Sequence, residues 1–454
     1  MITNKSVPIT DPAVIARLLA TPEHARASGW STMASPAEDA LRPSNQSLIL
    51  RCTKCSVNTS GMYAQPTDTV RRCPSCNSLL MYCTSCHATV SATEKFSVLT
   101  CDRCHVDCVT NSTIEYLVSR DRTAREVVLS GIRATGRLHL GNFMGAVQQF
   151  VEYDTGDNLC LYFIADWHTL TTCQEPEKIR TNSVAIAMDY LAAGLNPERA
   201  IIYAQSDVPE LAELALYLAM IQPKNSLERL PTLKDIVRGG QDMSLGHLHY
   251  PVLMAADILG PKATLVPVGS DQVPHIELAR DIATRFNSLF GQTFVMPRAG
   301  IKTIKVPGLR GEKMGKSDDT ASITLDDSFE TINAKYQRFG VTDPGRTTRT
   351  APGNPDNCAS VYPVFRLLLE KDDTQTLNVV STECQAGTRG CRECKAELAG
   401  RINDLITPFR ERRTKLAENE KFVREVLHFG GVKAREIIRP TLLEVRERMG
   451  IISV

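Results

Sequence analysis

The sequence contains no long apolar segment. It has no run of about 18 uninterrupted apolar residues, and the N-terminal stretch MITNKSVPITDPAV lacks the apolar core of a signal peptide. We therefore expect no membrane association, and we expect the cytoplasm as the compartment. An excess of either charge is also missing, since the formal net charge of the 454 residues is +1. Any binding of nucleic acid must therefore use a local basic patch.

Disulfides are not expected, although the chain has 15 cysteines. The chain is long and shows no export signal, so clustered cysteines are more typical of metal ligands. Nine lie between positions 52 and 108, and four lie between 358 and 394. The other two, Cys160 and Cys173, stand near apolar strand residues and are predicted to be buried thiols.

The pattern along the chain predicts four segments. The composition of residues 1–48 predicts a weakly ordered leader. The pattern of residues 49–112 predicts short strands between cysteine pairs. From 125 to 320, strands alternate with helical segments, as in a parallel sheet with crossover helices, and a helical insertion is predicted at about 209–250. Residues 321–454 predict a helical C-terminal domain. The expected fold class is therefore α/β with an added helical domain.

Individual elements of the central segment can also be predicted. Apolar runs predict the strands VVLSGI, LCLYFIAD, AIIYAQS and TLVPV. GNFMGAVQQFVEY predicts a helix, and EKIRTNSVAIAMDYLAAGLNP predicts a second helix that ends at Gly194.

Residues 130–142, SGIRATGRLHLGN, join a predicted strand to a predicted helix. Backbone N–H groups and the helix dipole at such a turn bind phosphate, although a tight turn without a ligand explains the glycines equally well. His139 and Asn142 lie one helical turn apart and can reach the same phosphate, while Gly141 leaves room for an adenine ring. Together these residues predict an ATP site.

Residues 311–320 read GEKMGKSDDT. Lys313 and Lys316, on a loop that contains glycine, can surround the β- and γ-phosphates of ATP, and Ser317 adds a hydroxyl donor. Such cations stabilise the charge that develops when pyrophosphate leaves. A solvated lysine loop is the alternative, but two phosphate-binding motifs in one β/α pattern rarely occur together by chance.

These two motifs resemble the HIGH and KMSKS signatures of class I aminoacyl-tRNA synthetases, written here as HLGN and KMGKS. The segments YFIADWHTLTT, YPVLMAADIL, PVGSDQVPHIELARDIATRFN and KVPGLRGEKMGKSD look like parts of tryptophanyl-tRNA synthetases. The resemblance covers about 125–320 and implies a Rossmann-like catalytic domain that binds ATP with Mg²⁺, L-tryptophan and tRNA(Trp). It implies tryptophan activation through tryptophanyl-adenylate, and a homodimer with the insertion at about 209–250 in the interface.

The resemblance also implies a tryptophan pocket. Tyr250, Met254 and Asp257 lie at spacings of four and three and so share one helix face. By resemblance, Asp257 accepts the indole N–H, Met254 lines the ring, and Tyr250 with Gln272 binds the α-amino group. The remaining residues of this predicted pocket are His168, Val266 and Val268.

The ATP site implied by the resemblance is larger than the two motifs. Asp271, in the GSDQ segment that follows a predicted strand, is placed to bind a ribose hydroxyl. Catalytic roles fall to His139, Asn142, Lys313 and Lys316. The full predicted ATP-binding set is Arg133, Thr135, Gly141, Asn142, Gly269, Asp271, Val306, Lys313, Lys316 and Ser317.

Two positions depart from the family pattern, and three alternatives remain. Arg133 stands where bacterial members usually carry Gln, and Leu129 stands where several carry Phe.

A tyrosyl-tRNA synthetase shares the fold and signatures, but MAADIL favours tryptophan. A synthetase-like regulator that binds tRNA or amino acid is the second alternative, and a zinc-ribbon nucleic-acid-binding protein with a degenerate nucleotide domain is the third. The intact HLGN and both lysines of KMGKS argue against a regulator.

Four C-x-x-C pairs predict two structural zinc ions. Two pairs supply the four thiolates of one tetrahedral zinc. The pairs are Cys52 and Cys55, Cys73 and Cys76, Cys83 and Cys86, and Cys101 and Cys104. Three further residues could replace one of these cysteines as a zinc ligand, namely Cys108, His87 and His105. Modest phosphate contacts are offered by Arg51, Lys54, Arg71, Arg72 and Arg103.

The C-terminal cysteines Cys358, Cys384, Cys391 and Cys394 contain one C-x-x-C pair. Three thiolates close in sequence favour an iron–sulfur cubane over one tetrahedral ion. The set also resembles the four-cysteine motif of tryptophanyl-tRNA synthetases that carry a [4Fe–4S] cluster near the anticodon-binding surface. Zinc, or no metal, remains an alternative. Phosphate contact or a solvated helix face is predicted for the basic residues Arg389, Arg392, Lys395, Arg410, Arg412, Arg413 and Lys415.

Overall fold

The computed structural model describes residues 70–72, 79–83, 88–95, 98–105, 107–109, 125–240, 242–301, 304–312, 314, 322–370 and 373–452. Several predictions fall outside these residues. They concern the leader at 1–48, the ATP-site residues Lys313, Lys316 and Ser317, and the zinc ligands Cys52, Cys55, Cys73, Cys76 and Cys86. The side chain of Cys83 also lies outside the described part.

The N-terminal strands form an antiparallel meander. Neighbouring strands pair in chain order, with Leu80 opposite Ser91 in the second pair. Cys101 ends the fourth strand, and the N–H of Cys104 donates to its Sγ at 3.5 Å. The strands are β1 Val70–Arg72, β2 Leu79–Cys83, β3 Ala88–Lys95, β4 Val98–Cys101 and β5 Asp107–Val109.

The central sheet is parallel throughout, with the order β10-β9-β6-β7-β8. Its strands are β6 Val127–Ile132, β7 Leu159–Ile164, β8 Ile201–Ala204, β9 Leu265–Val268 and β10 Arg298–Ile301. The strand order reverses at β6, which pairs with β7 on one side and with β9 on the other. Ligands of open parallel sheets bind at such a point, outside the carboxyl ends of the strands.

Helices connect the strands, as the alternating pattern predicts. The predicted helix end at Gly194 is confirmed, since Gly194 caps its helix with a φ of 115°, which glycine tolerates. The helices are α1 Leu140–Asn142, α2 Gln148–Tyr153, α3 Asp166–Thr169, α4 Pro176–Ala193, α5 Glu210–Ile221, α6 Lys224–Leu227, α7 Pro231–Arg238, α8 Leu245–Leu259 and α9 Val273–Phe290. A π-helical turn, Phe143–Val147, joins α1 to α2.

The described residues after 322 form helices and connecting turns, as predicted. The helices are α10 Phe329–Phe339, α11 Val361–Leu369, α12 Thr374–Gln385, α13 Cys391–Ala417 and α14 Glu420–Arg448. None of the helices in the described ranges is both long and apolar enough to cross a membrane.

The last helix, α14, passes from one face of the central sheet to the other. Val423 and Val426 belong to the core that contains Ile202 of β8, whereas Ile438 and Leu442 belong to the core on the opposite face. The crossing is close, because a Cβ on Gly430 would lie 1.7 Å from the carbonyl oxygen of Ile202. The helical region and the sheet therefore share both cores.

Candidate active site

A cavity of about 600 Å³ opens at the carboxyl ends of the central strands. All seven predicted tryptophan-pocket residues line it, and they come from β9, α3, α8 and the turn after β9. Arg133 and Asn142 of the predicted ATP set line it too. The predicted residues therefore converge on one site, although they are spread over more than one hundred positions of sequence.

The HLGN segment begins the helix that follows β6. His139 Nδ1 accepts from the N–H of Asn142 at 3.2 Å, and Asn142 Oδ1 accepts from the N–H of His139 at 3.4 Å. The two side chains thus cap the helix reciprocally. A Cβ on Gly141 would lie 3.0 Å from the imidazole of His139, so a larger residue would disturb this cap.

The segment that follows the KMGKS loop pairs with HLGN. Met314, the one residue of that motif within the described part, lies 3.5 Å from the position of a Cβ on Gly141. After the loop, the carbonyl of Ile323 accepts from the N–H of Leu140 at 2.8 Å. Met314 and the segment that begins at 322 therefore lie beside HLGN.

Asp257 lies at the inner wall of the cavity and is 1% exposed. His168 Nε2 lies 2.9 Å from its Oδ2, and Gln205 Nε2 lies 2.8 Å from its Oδ1. Burial raises the pKa of Asp257, and the contacts with His168 and Gln205 oppose this shift. Gln205 was not predicted, although it follows β8 in the way that Gln272 follows β9, and this position was the available signal.

A second hydrogen-bonded group surrounds the Tyr250 hydroxyl. It donates to Thr232 Oγ1 at 2.8 Å and lies 3.1 Å from His275 Nε2. Burial lowers the pKa of His275 and raises that of Tyr250. The single hydroxyl hydrogen of Tyr250 is used in the bond to Thr232, so the Tyr250 oxygen keeps acceptor capacity for a donor such as an ammonium group. Neither Thr232 nor His275 was predicted.

The turn after β9 holds the GSDQ segment. Gln272 Nε2 donates to Asp271 Oδ2 at 3.1 Å, and Gln272 lines the cavity. A Cβ on Gly269 would lie 2.7 Å from Asp271 Oδ1, so a larger residue there would displace the Asp271 side chain. Among the other predicted ATP residues, Val306 is buried, and the N–H of Thr135 donates to the carbonyl of Arg133.

An aromatic residue from β7 contributes to the cavity wall. Phe163 and Leu129 both line the cavity. The ring of Phe163 lies against Gly131, where a Cβ would come within 2.7 Å of its Cζ. Leu129 was noted as a departure from a family phenylalanine, and the structure places an aromatic ring of the neighbouring strand in the same wall.

The four C-terminal cysteines line a second, small cavity of about 30 Å³. Arg346 lines it as well, and its Nη1 lies 3.9 Å from the Sγ atoms of both Cys384 and Cys391. Within the described ranges, no three His, Cys, Asp or Glu side chains form a group that could hold a metal ion. The thiols thus share a cavity without closing around one point.

Several of the basic residues that were expected to face phosphate or solvent are bound within the protein. Arg413 pairs with Asp189 at 2.6 Å, and Arg412 donates to the carbonyl of Ala192. Arg410 donates to the carbonyl of Asp327. Arg389 pairs with acidic residues on two helices, Glu383 and Glu397. Lys395 Nζ donates to the carbonyl of Gln337 at 3.5 Å, so the prediction of phosphate contact is reduced to Arg392 and Lys415.

The sequence is similar to those of known proteins. The sequence profile of the family described as tRNA synthetases class I (W and Y) matches residues 121–407. A tryptophan–tRNA ligase of Thermotoga maritima is 40% identical over 330 residues, which are 71% of this chain and 99% of that protein. One of Porphyromonas gingivalis is 40% identical over 331 residues, 72% of this chain and 99% of that protein.

A solved structure agrees with this result. The tryptophanyl-tRNA synthetase of Campylobacter jejuni, complexed with ADP and tryptophan, is 34% identical to this chain. The match has a TM-score of 0.64 and covers 71% of this chain and 99% of that chain. The alternative of a tyrosine enzyme finds no support among these named relatives. From its motifs, its fold and these similarities, the chain belongs to the tryptophan–tRNA ligases, which are class I aminoacyl-tRNA synthetases.

Proposed function

We propose that the cavity beside HLGN is where this ligase activates L-tryptophan with ATP. The tryptophan carboxylate attacks the α-phosphate in line and pyrophosphate leaves. A hydroxyl of the terminal ribose of tRNA(Trp) then attacks the carbonyl of the adenylate, and AMP leaves. Catalysis of this kind depends on positioning and on charge stabilisation. The observation that supports the site most strongly is the convergence of all seven predicted tryptophan residues on one cavity next to the helix start at His139.

The amino-acid side of the cavity supplies contacts for each part of tryptophan. Asp257 accepts the indole N–H, and Met254, Val266 and Val268 provide apolar walls for the ring. Tyr250 and Gln272 accept from the α-ammonium group. The hydrogen bond that Tyr250 donates to Thr232 supports this role, because it turns the hydroxyl hydrogen away and leaves acceptor capacity on the oxygen.

The ATP side is formed by HLGN, GSDQ and the KMGKS loop. His139 and Asn142 contact the phosphates at the helix start, and Asp271 binds a ribose hydroxyl. Met314 lies against Gly141. In sequence it is preceded by Lys313 and followed closely by Lys316 and Ser317. This contact supports a position of the loop near the phosphates. Mg²⁺ that accompanies the ATP phosphates supplies further charge neutralisation.

Tryptophan-dependent exchange of pyrophosphate into ATP tests the function. The ligase should exchange with tryptophan and not with tyrosine, and it should then charge tRNA(Trp). Exchange with tyrosine would favour the tyrosyl alternative. Absence of exchange together with tRNA or amino-acid binding would favour a regulator. A zinc-ribbon protein with a degenerate nucleotide domain would show neither exchange nor tryptophan binding.

We propose further that Cys358, Cys384, Cys391 and Cys394 hold a [4Fe–4S] cluster. Each iron of a cubane takes one thiolate, so the thiols stand further apart than around a single ion. The cavity that the four cysteines share supports a common cofactor for them. Arg346 would donate toward the cluster sulfurs. A structural or anticodon-reading role fits, because the cavity lies in the helical region.

Two zinc ribbons are proposed for the N-terminal region. The support is limited to the antiparallel meander and to the turn at Cys101, where the N–H of Cys104 donates to the sulfur. N–H groups directed at a cysteine sulfur stabilise a thiolate, as a zinc ligand requires. The cytoplasmic location expected from the sequence stays a prediction.

A homodimer is proposed with the predicted insertion in its interface. On α5, Leu216 and Met220 are 50% and 70% exposed, and Leu245 at the start of α8 is 80% exposed. Val237 on α7 is 61% exposed. Exposed apolar residues that recur in one region of the chain are typical of an interaction surface, and a second copy of the chain would bury them.

A further inference from the structure

Gln205 is a buried polar neighbour of Asp257. Its side chain is 0% exposed, and it begins the short turn that follows β8. Its Nε2 lies 2.8 Å from Asp257 Oδ1 and 2.9 Å from Oδ2, so the amide bridges both carboxylate oxygens. The nitrogen has to face the carboxylate, because the reverse orientation would set a carbonyl oxygen against two anionic acceptors.

The contacts of the two carboxylate oxygens differ. Oδ2 also contacts His168 Nε2 at 2.9 Å, whereas Oδ1 has the amide of Gln205 as its one hydrogen-bond partner within the described part of the chain. A carboxylate offers about four lone-pair sites. Oδ1 therefore keeps acceptor capacity, and Asp257 lines the cavity.

We infer that Gln205 is a positioning residue for tryptophan selection, which fixes the plane of the Asp257 carboxylate so that Oδ1 accepts the indole N–H. A hydrogen bond to one oxygen leaves the carboxylate free to rotate, whereas a donor that bridges both oxygens resists rotation. His168 contacts a single oxygen, so it cannot do this alone. The inference rests on the proposed role of Asp257.

A purely structural role explains Gln205 poorly. Its Oε1 is buried and has no hydrogen-bond partner among the described residues. Such an atom costs free energy, so a position that served packing alone would favour an apolar side chain. The neutral amide also donates without adding a positive charge, so the negative charge of Asp257 remains available to the indole N–H.

The test uses L-3-(benzothiophen-3-yl)alanine, in which sulfur replaces the indole N–H. The ratio of kcat/KM for tryptophan to that for the analogue, measured by pyrophosphate exchange, reports the N–H contact. Asp257→Asn and Gln205→Met should each lower this ratio at least about tenfold, as expected for a lost hydrogen bond to a charged group. KM for ATP should change little.

Tyr203→Phe is the matched control. Tyr203 lies on β8, two residues before Gln205, and is 0% exposed. Its hydroxyl has no hydrogen-bond partner within the described ranges. This variant also changes a buried side chain near Asp257, yet its selectivity ratio should match that of the parent.

Gln205→Glu gives a second readout, which depends on pH. If Gln205→Met does not fold, this variant tests whether Gln205 positions Asp257. The protonated glutamic acid keeps the shape and donates to Asp257, whereas the ionised form repels it. The selectivity ratio of this variant should therefore fall as the pH rises. A ratio that follows the parent at every pH would overturn the inference.

The outcomes separate this inference from the proposed function. A ratio that falls in Asp257→Asn but not in Gln205→Met overturns the role of Gln205 alone. If Gln205→Met lowers kcat/KM equally for tryptophan and for the analogue, the role of Gln205 is merely structural and the inference is also overturned. An unchanged ratio in Asp257→Asn removes Asp257 from the pocket, and the inference fails with that assignment.

Discussion

Arg413 Nε lies 2.6 Å from Asp189 Oδ1, and this ion pair joins α13 of the helical region to α4 beside the central sheet. The side chain of Asp189 is 3% exposed and that of Arg413 is 18% exposed. Removing one partner of a buried ion pair leaves an uncompensated charge, whereas exposed pairs contribute little. The pair therefore stabilises the contact between the two regions.

We expect Arg413→Ala to lower the free energy of unfolding by about 3 kcal/mol. Urea unfolding followed by circular dichroism measures the change. Arg424→Ala is the control, because Arg424 pairs with Glu420 on an exposed helix face, and this change should cost less than about 1 kcal/mol. Similar losses in the two variants would contradict the stabilising role of the buried pair.

Glu436 on α14 should make stability depend on pH. Burial raises its pKa to about 7, opposed by Arg439 and Arg435, while Glu210 on α5 raises it further. A raised folded-state pKa gives stability that is fully present below the unfolded value and is lost as pH rises through about 7.

Glu436→Gln should therefore match the parent near pH 4, below the unfolded pKa, and exceed it near pH 8 by about 1 to 3 kcal/mol. Denaturant midpoints at both pH values measure this. Glu447→Gln, an exposed position on the same helix, should leave the pH dependence unchanged. A parent that is no less stable at the higher pH would count against a raised pKa of Glu436.

Lys316→Ala should slow adenylate formation while tryptophan binding stays nearly intact. The lysine meets charge that builds up only as pyrophosphate departs, so its loss acts on the transition state. The expected cost is about 2.7 to 4 kcal/mol in single-turnover measurements. Lys224→Ala, at an exposed ion pair with Glu228, is the control. An unchanged single-turnover rate would reject the assignment of Lys316.

Cys391→Ser should remove iron from anaerobically purified protein, which should otherwise be brown and contain about four iron and two zinc per chain. Aminoacylation should fall more than pyrophosphate exchange, because the cysteine cavity shares no lining residue with the cavity beside HLGN. Cys173→Ser should keep the iron. Three zinc and no iron in the parent would reject the cluster, and equal loss of both activities would reject its separation from catalysis.

Met220→Glu should convert the proposed dimer into monomers, because it places a charge in a surface that a second copy would bury. Light scattering at micromolar concentration gives the mass. Leu289→Glu, at a residue of α9 that is 57% exposed, is the control and should remain dimeric. A monomeric parent would contradict the dimer itself.

Local patterns predicted much of the sheet and its connections. The apolar run VVLSGI coincides with β6, and TLVPV contains β9. The strand β10 was not predicted, because its sequence RAGI has neither an apolar run nor an alternation. The π-helical turn inside the predicted helix after β6 was also missed, since periodicity does not distinguish one wider turn.

The hydrogen-bond partners in the site were harder to predict than its lining. Gln205 and Asp257 are 52 residues apart, and Tyr250 and His275 are 25 apart. Their contacts exist only after three separate elements have packed together, and no local spacing encodes them. Motif resemblance identified residues that line the cavity, but not the residues that hydrogen-bond to their side chains.

The passage of α14 across the sheet at Gly430 has a consequence for the order of folding. Residues 125–320 are synthesised well before α14, yet both faces of the sheet near β8 lack part of their covering until Val423, Ile438 and Leu442 have left the ribosome. Residues 125–320 therefore expose apolar surface until α14 has been synthesised. A fragment that ends at 320 should for the same reason aggregate, and it would not serve as a minimal enzyme.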